Sequence, residues 1–390
     1  MRVKELTASH VRIPLRKPIK HASHTRTETD NVLVRCVLDD GTEGFGEGVP
    51  REYVTSESID SVLTLLQRSG LGEQLEDCPS FERAVGIAEC LRLAPVPGDD
   101  RDCQGNAARC AVELALLDAF GRHFKEPVSA VTRLLAPELY SPQLWVRYSG
   151  AILSARGFKA RVAAWIMRVY RFRQVKVKVG MAGHDDSARL RSIRACIGRR
   201  IDLRVDVNEA WSPAEVASRI RELEPHGISS VEQPVRHEDI DILASVRKEV
   251  RIPLMLDESL CSLIDAERAA QRGTCDLFNL RLSKCGGFIP SLRLAQFTRT
   301  RGLLGYQLGC QVGETAVLSA AGRHFASSVA GLRYVEGSYD RHLVREALGT
   351  KDLTFRWGGW ARALPGPGLG IQLDERALQR VTVRKVVLVG

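Results

Sequence analysis

The chain has no run of about 18 apolar residues, so no transmembrane helix is expected. Its opening, MRVKELTASHVRIPL, lacks an apolar h-region and a small-residue cleavage site, which argues against a secretory signal. The ten cysteines include no CxxC pair, and there is no HExxH or Cys/His cluster. A zinc site is therefore not indicated. In a chain of 390 residues such cysteines read as buried reduced thiols of a cytoplasmic protein. The net charge is +9, with arginines scattered as at Arg147, Arg156, Arg161, Arg168, Arg171 and Arg173. No helix-turn-helix signature or aromatic-interleaved basic patch accompanies them. The charge reads as a solvated surface biased toward small anions, with neither nucleic acid nor membrane as a partner.

What is present is ordinary globular composition, 44% hydrophobic and 26% charged, long enough for one large and one smaller domain. Residues 1 to 60 read as strands. VKELTASHVRIPL and NVLVRCVLDDGTEGFGEG flank a polar segment, HASHTRTETD, and Asp39-Asp40-Gly41 is a hairpin signal. Helical periodicity follows over 57–135, broken by the loop APVPGDDRD. From about 143 short strands alternate with helices: LWVRYSGAI, QVKVKVG, IDLRVDVN, SSVEQPV, PLMLDES, LFNLRLSK, LGYQLGC and LRYVEGS. Eight such units predict a (β/α)8 barrel, with functional groups at the C-terminal strand ends. The expected organisation is an N-terminal α+β capping domain over 1–135, a barrel over 136–345, and a segment over 346–390 that returns to the cap.

In QVKVKVG, strict alternation puts Lys176 and Lys178 on one face and valines on the other. On an exposed edge strand the lysines would be solvated. In a barrel strand, buried on both faces, they need acids, a metal site or an anionic substrate. The acids follow at regular intervals. Asp206 ends the third strand, Glu232 comes 26 residues later and Asp257 a further 25. Three carboxylates at one barrel height would repel, and a divalent cation relieves the cost; all-oxygen ligation favours Mg2+. Helix capping is the structural alternative for these acids. Asn208 shares the Asp206 face, suited to a water-mediated metal contact or a cap, whereas Glu258 points away from the face of Asp257. Lys284 lies 27 residues after Asp257, across the barrel from Lys178. A metal can hold a substrate carboxylate and stabilise the enediolate formed as an α-proton leaves. Lysine is a weak base at its free pKa of about 10.4. Lys176 and the cation would lower that value for Lys178. One lysine could then remove a proton and the other return it, the layout for racemisation or epimerisation.

At this point the chain resembles the enolase superfamily, in its muconate lactonizing enzyme subgroup of dipeptide epimerases, N-acylamino acid racemases and o-succinylbenzoate synthases. The KxK of VKVKV, the acids Asp206, Glu232 and Asp257, Lys284 followed by CGG, the segment TDNVLVRCVLDDGTEGFGEG and the tail PGPGLGIQLDE carry the resemblance in order. It implies a single Mg2+, Lys178 and Lys284 as bases, Lys176 in the pKa-lowering position, a small carboxylate substrate and a homo-oligomer. Cycloisomerisation and β-elimination use the same parts, and a non-catalytic metal- or anion-binding barrel is the reading from another class. Intact Lys178 and Lys284 argue against the last.

There are departures from the family pattern. The Asp-x-Asp that holds a dipeptide's ammonium is replaced by Val335-Glu-Gly-Ser-Tyr-Asp340, leaving Glu336 and Asp340 as candidates. The seventh-strand segment LGCQVGET is one residue longer and offers Glu314. His24 aligns with an arginine that binds acidic side chains in some epimerases, and Arg26 is its possible substitute. Specificity is expected in residues 20–28 and 50–57 and at the last two strands.

Overall fold

The computed structural model describes residues 1–20, 25–181, 183 and 185–390. The predicted position His24 therefore lies outside the described residues, as does His21. Among the described residues no helix is long and apolar enough to cross a membrane.

Three strands, Val3–Lys20, Thr25–Leu38 and Glu43–Gly48, form an antiparallel meander. The C-terminal strand Thr382–Val389 pairs with the first of them, giving the order fourth, first, second, third. The hairpin at Asp39–Gly41 forms as expected, with Gly41 at φ 82°. The polar stretch TRTETD, expected between strands, is itself strand: its charges pair across the ladder, as in Arg12 Nε to Asp30 Oδ1 at 2.8 Å. The helix Asn106–Phe124 lies on this sheet and is buried through most of its length, as core. Gly44, Gly46 and Gly48 alternate along the third strand, and a Cβ on each would meet the backbone of Ala119, Ala111 and Ala107 within 2.1 Å. A period of two on the strand thus meets a period of four on the helix, and hydrogen side chains let the two backbones touch.

The barrel sheet has eight parallel strands: Gly150–Ile152, Gln174–Lys178, Asp202–Asp206, Ile228–Glu232, Leu254–Leu256, Leu277–Leu280, Gly305–Leu308 and Leu332–Val335. They are hydrogen-bonded in sequence order, and a backbone bond from Ser149 N to Val335 O, 2.8 Å, brings the two edges of the curled sheet together. Two predicted strands are shorter than the sequence suggests. In LWVRYSGAI the part Trp145–Arg147 leaves the barrel to pair with Trp360–Arg362. LFNLRLSK ends at Leu280, so Lys284 sits in the turn beyond, where Gly287 N donates to Leu282 O. After the eighth strand only one helical turn, Asp340–Leu343, forms before the chain crosses to the cap.

The cap is seated on the barrel by buried carboxylates at helix N-termini, where unpaired N–H groups favour an anion. Glu47 accepts from Thr315 N, Thr315 Oγ1 and Leu318 N at the helix Ala316–Ser328. Glu113 accepts from Phe288 N and Ile289 N at the helix Phe288–Thr300. These contacts place the cap over the turns that follow the sixth and seventh strands. Of the arginines expected at a solvated surface, Arg156, Arg161, Arg168, Arg171 and Arg173 are exposed and Arg147 is half-buried. Arg147 lies over Trp360 and Arg168 over Trp165, among half-exposed aromatics, so an aromatic-interleaved basic patch exists that linear order hid.

Candidate active site

Strand register assembles the site. Lys176 pairs with Arg204 and Lys178 with Asp206; Asp206 then pairs with Glu232, and Glu232 with Met255. Asp257, the next residue on the Met255 face, stands one side-chain layer higher than Glu232. The acids are therefore not all at one height, contrary to the spacing argument. Asp206, Glu232 and Asp257 are all buried.

Each acid is turned toward a cation. Lys176 Nζ lies 3.3 Å from Asp206, 3.4 Å from Glu232 and 2.8 Å from Glu336. Burial works against its charge, but Glu232, Glu336 and Asp206 outweigh that and hold its pKa above the ordinary lysine value. Arg281 pairs with Asp257 and comes within 3.9 Å of Glu232. Lys284 Nζ donates to Asp257 O at 2.6 Å, Asp257 Oδ1 at 3.0 Å and Asn279 O at 2.9 Å. Burial lowers the pKa of Lys284, and Arg281 adds to the effect. Burial would raise Asp206, yet Lys176, Lys178 and Arg281 hold it below the usual carboxylate range. Glu232 is raised, by burial first and then by Asp206 and Glu336. Lys178 is half-buried, and its ammonium has no ion-pair partner among the described residues.

The remaining predicted positions divide. Glu336 is an inward-facing counter-ion to Lys176 and Arg204, with one cation on each oxygen. Asp340 bonds Ser319 on the helix Ala316–Ser328, and burial pushes it to about 6. Glu314 accepts from Gln311 N at 2.6 Å, burial pushes it to about 8, and it lines a small cavity with Glu336, Tyr148 and Ser338. Asn208, at φ 46°, donates from Nδ2 to Glu258 at 3.3 Å. Glu258 is buried and raised to about 8, by burial and then by Asp206 and Glu209. Arg26 lies 5.7 Å from the ring centroid of Tyr53. Sequence reasoning missed Arg204, Arg281, Asn279 and Gln307. Arg204 shares the face of Asp206 by alternation, Asn279 and Gln307 both donate to Glu232, and Arg281 carries on the Asn279 parity. The signal was there: polar residues at the inward parity of barrel strands.

Among the described residues no three carboxylate, imidazole or thiol side chains converge at metal-ligating spacing, because Lys176 and Arg281 fill the gaps between the acids. The donor chemistry nevertheless suits a hard divalent cation. The buried acceptors Glu258 Oε2, Asn279 Oδ1 and Gln307 Oε1 around the acids have no donor, an excess of acceptor atoms that a cation relieves.

A capped eight-stranded barrel with paired lysines and strand-end acids defines a class of enzyme that handles carboxylate substrates. Residues 3–132 match the mandelate racemase / muconate lactonizing enzyme N-terminal domain, and residues 158–377 the enolase C-terminal domain-like barrel. The chain belongs to this enolase-superfamily family, whose general mechanism is Mg2+-dependent proton abstraction; its relatives include racemases, epimerases and cycloisomerases. It is 29% identical to the N-succinyl-L-Arg/Lys racemase of Bacillus cereus over 97% of this chain and 98% of that one. The crystal structure of that racemase superposes with a TM-score of 0.85, covering 99% of this chain and 100% of the other. The L-Ala-D/L-Glu epimerase of Clostridium acetobutylicum is 31% identical over 84% of this chain and 87% of its own. A dipeptide epimerase of Cytophaga hutchinsonii, solved with Mg and D-Ala-L-Val, has TM-score 0.84 and 25% identity, with both chains fully covered.

Proposed function

We propose that this chain racemises or epimerises an N-acylated amino acid by removing and returning its α-proton. The observation that carries the reading is the pair of lysines on opposite flanks of the acids: Lys178 on the second barrel strand and Lys284 beyond the sixth. Asp206, Glu232 and Asp257 would hold one Mg2+, which when bound supplies positive charge for the substrate carboxylate. Arg281 must swing off Asp257 for that. Lys178, without an ion pair among the described residues, takes the proton on one face. Lys284, buried and lowered in pKa, serves the other after loosening its hold on Asp257. Lys176, fixed by three carboxylates, stays cationic beside Lys178 and acts as charge, not base.

An N-acyl substrate is favoured over a dipeptide by the eighth strand. Its inward carboxylate, Glu336, is already balanced by the charges of Lys176 and Arg204, which leaves little net negative charge there to attract a free ammonium. A basic chain whose relatives include an N-succinyl amino acid racemase fits an anionic acyl group. The test is α-deuteration in D2O with Mg2+, comparing N-succinyl amino acids with unblocked dipeptides by NMR. Exchange of the acylated set alone is expected. Exchange confined to dipeptides would overturn the substrate class, and exchange of neither would overturn the reaction.

A further inference from the structure

The three lysines of the site are held in different ways. Lys176 is fixed by three carboxylates, and Lys284 by Asp257 and the Asn279 carbonyl, in each case through the ammonium itself. The Lys178 ammonium has no ion-pair partner among the described residues, so its position is set from its backbone. That backbone lies at a strand end. The ladder between the first and second barrel strands closes with Ile152 opposite Val177, one residue short of Lys178. On its other side Lys178 is level with Asp206, and Val179 N donates to Asp206 O at 2.9 Å. On the first-strand side, a carbonyl beyond the end of the ladder needs another donor.

The helix Asp186–Ile197 supplies it. Arg189, one turn in, is buried and spends its guanidinium on backbone: Nη1 donates to Lys178 O, Nη2 to Leu153 O, and Nε to Ala155 O at 2.9 Å. At the first position of the same helix, Asp186 Oδ2 accepts from Gly180 N at 2.7 Å. One helix therefore grips the segment that carries Lys178 twice, a carbonyl by its cation and an amide by its anion. Burying a guanidinium is costly. Burial lowers the Arg189 pKa, and Asp186, 4.0 Å away, opposes the shift. What the cost secures is geometry: the planar fork of arginine reaches carbonyls on two stretches of chain at once, which a point-like ammonium does not.

We infer that Arg189 is a positioning residue for Lys178, aiming the base by fixing the carbonyl of the residue that bears it. The inference rests on the proposed two-base reaction and predicts an asymmetry in it. Loosening the grip should misplace Lys178 and leave Lys284, tied down across the barrel by its own ammonium, where it is. A misplacement of about 1 Å costs a reacting group about a hundredfold in rate.

Arg189→Lys tests this, since it keeps the charge and loses the fork. NMR follows α-deuteration of each enantiomer of an N-succinyl amino acid in D2O with Mg2+. The enantiomer served by Lys178 is the one whose exchange Lys178→Ala abolishes. In Arg189→Lys that exchange should fall at least about tenfold in kcat with KM within about twofold, while the other enantiomer exchanges within about twofold of the wild-type rate. In a crystal structure of the variant, Lys178 Nζ should be displaced by about 1 Å or more and Lys284 Nζ should not. If Arg189→Lys does not fold, Asp186→Ala, which frees the Gly180 amide, is read in the same two ways and should change both in the same sense. Equal loss for both enantiomers, or no loss, overturns the inference, and so does an unmoved Lys178. A wild type that exchanges neither enantiomer sinks the proposed reaction instead, and the position of Lys178 in the variant then decides on its own whether Arg189 holds it.

Discussion

Lys176 Nζ lies 2.8 Å from Glu336 Oε2, and the other oxygen of Glu336 takes Arg204, a guanidinium shut away from solvent. One carboxylate from the eighth strand thus anchors two cations from the second and third. Removing one partner of a buried ion pair leaves a charge uncompensated and costs about 3–5 kcal/mol. Glu336→Gln is therefore expected to lower unfolding stability by that order in urea titration. Proton exchange should fall too, since Lys176 loses its tether. A change within about 0.5 kcal/mol would show that Glu336 is a surface-like residue and not an anchor.

The two bases separate by stereochemistry. Lys178→Ala and Lys284→Ala should each cut racemisation by about a hundredfold or more, the usual size of a general-base contribution. Each variant should still wash deuterium into the one enantiomer whose α-proton faces the surviving lysine. NMR with each enantiomer in D2O reads this directly. If either variant exchanges both enantiomers at the wild-type rate, the two-base assignment is wrong.

Magnesium should stabilise the fold as well as enable turnover. Binding to the native state alone adds about 2.7 kcal/mol at a hundred times Kd. A rise in melting temperature with MgCl2, abolished in Asp206→Asn and Glu232→Gln, is the expected result. Calorimetric titration of Mg2+ into the same variants gives a readout independent of activity. Undiminished binding in both would mean that the ion sits elsewhere.

Much of this was legible in the residues because barrel strands repeat a simple rule. Inward parity at a strand's C-terminal end marks a functional position, and Lys176, Lys178, Asp206, Glu232 and Asp257 all obey it. What stayed hidden depends on distance across the barrel. Arg204 and Glu336 are 132 positions apart, and alternation within one strand gives no hint that they pair. Arg281 keeps the inward parity of Asn279 just past the end of its strand, but that parity gives no hint that it pairs with Asp257. The register step that lifts Asp257 above Glu232 is likewise a property of neighbouring strands.

Two glycines with opposite surroundings make a paired test of packing. A Cβ on Gly46 would sit 2.0 Å from Ala111 O, and that oxygen belongs to a helix backbone that cannot step aside. Gly46→Ala should cost about 3 kcal/mol or more, or prevent folding. Gly86, inside the helix Phe81–Cys90, has nothing within 4 Å of its would-be Cβ. Gly86→Ala should instead stabilise by about 0.5–1 kcal/mol through helix propensity. Equal effects at both positions, by urea denaturation, would contradict the close strand–helix contact.

His324 supplies a pH dependence with a definite sign. It lies on the helix Ala316–Ser328, fully buried, and a polar contact with the Leu369 backbone only partly opposes the effect of burial. Burial lowers its pKa to about 4, and the nearby Arg323 guanidinium adds to the shift. In the unfolded chain the imidazole titrates near 6.5. Between those values the unfolded state binds a proton that the native state refuses, so stability falls as pH drops from about 6.5 to about 4. The loss amounts to about 3 kcal/mol across the window, at about 1.4 kcal/mol per pH unit. Above about pH 7 the imidazole is neutral in both states and contributes no slope. His324→Phe keeps the ring and removes the titration, so the urea midpoint of that variant should fall less between pH 7 and pH 5 than the wild type's does. An identical fall in both proteins would place the acid sensitivity on other groups.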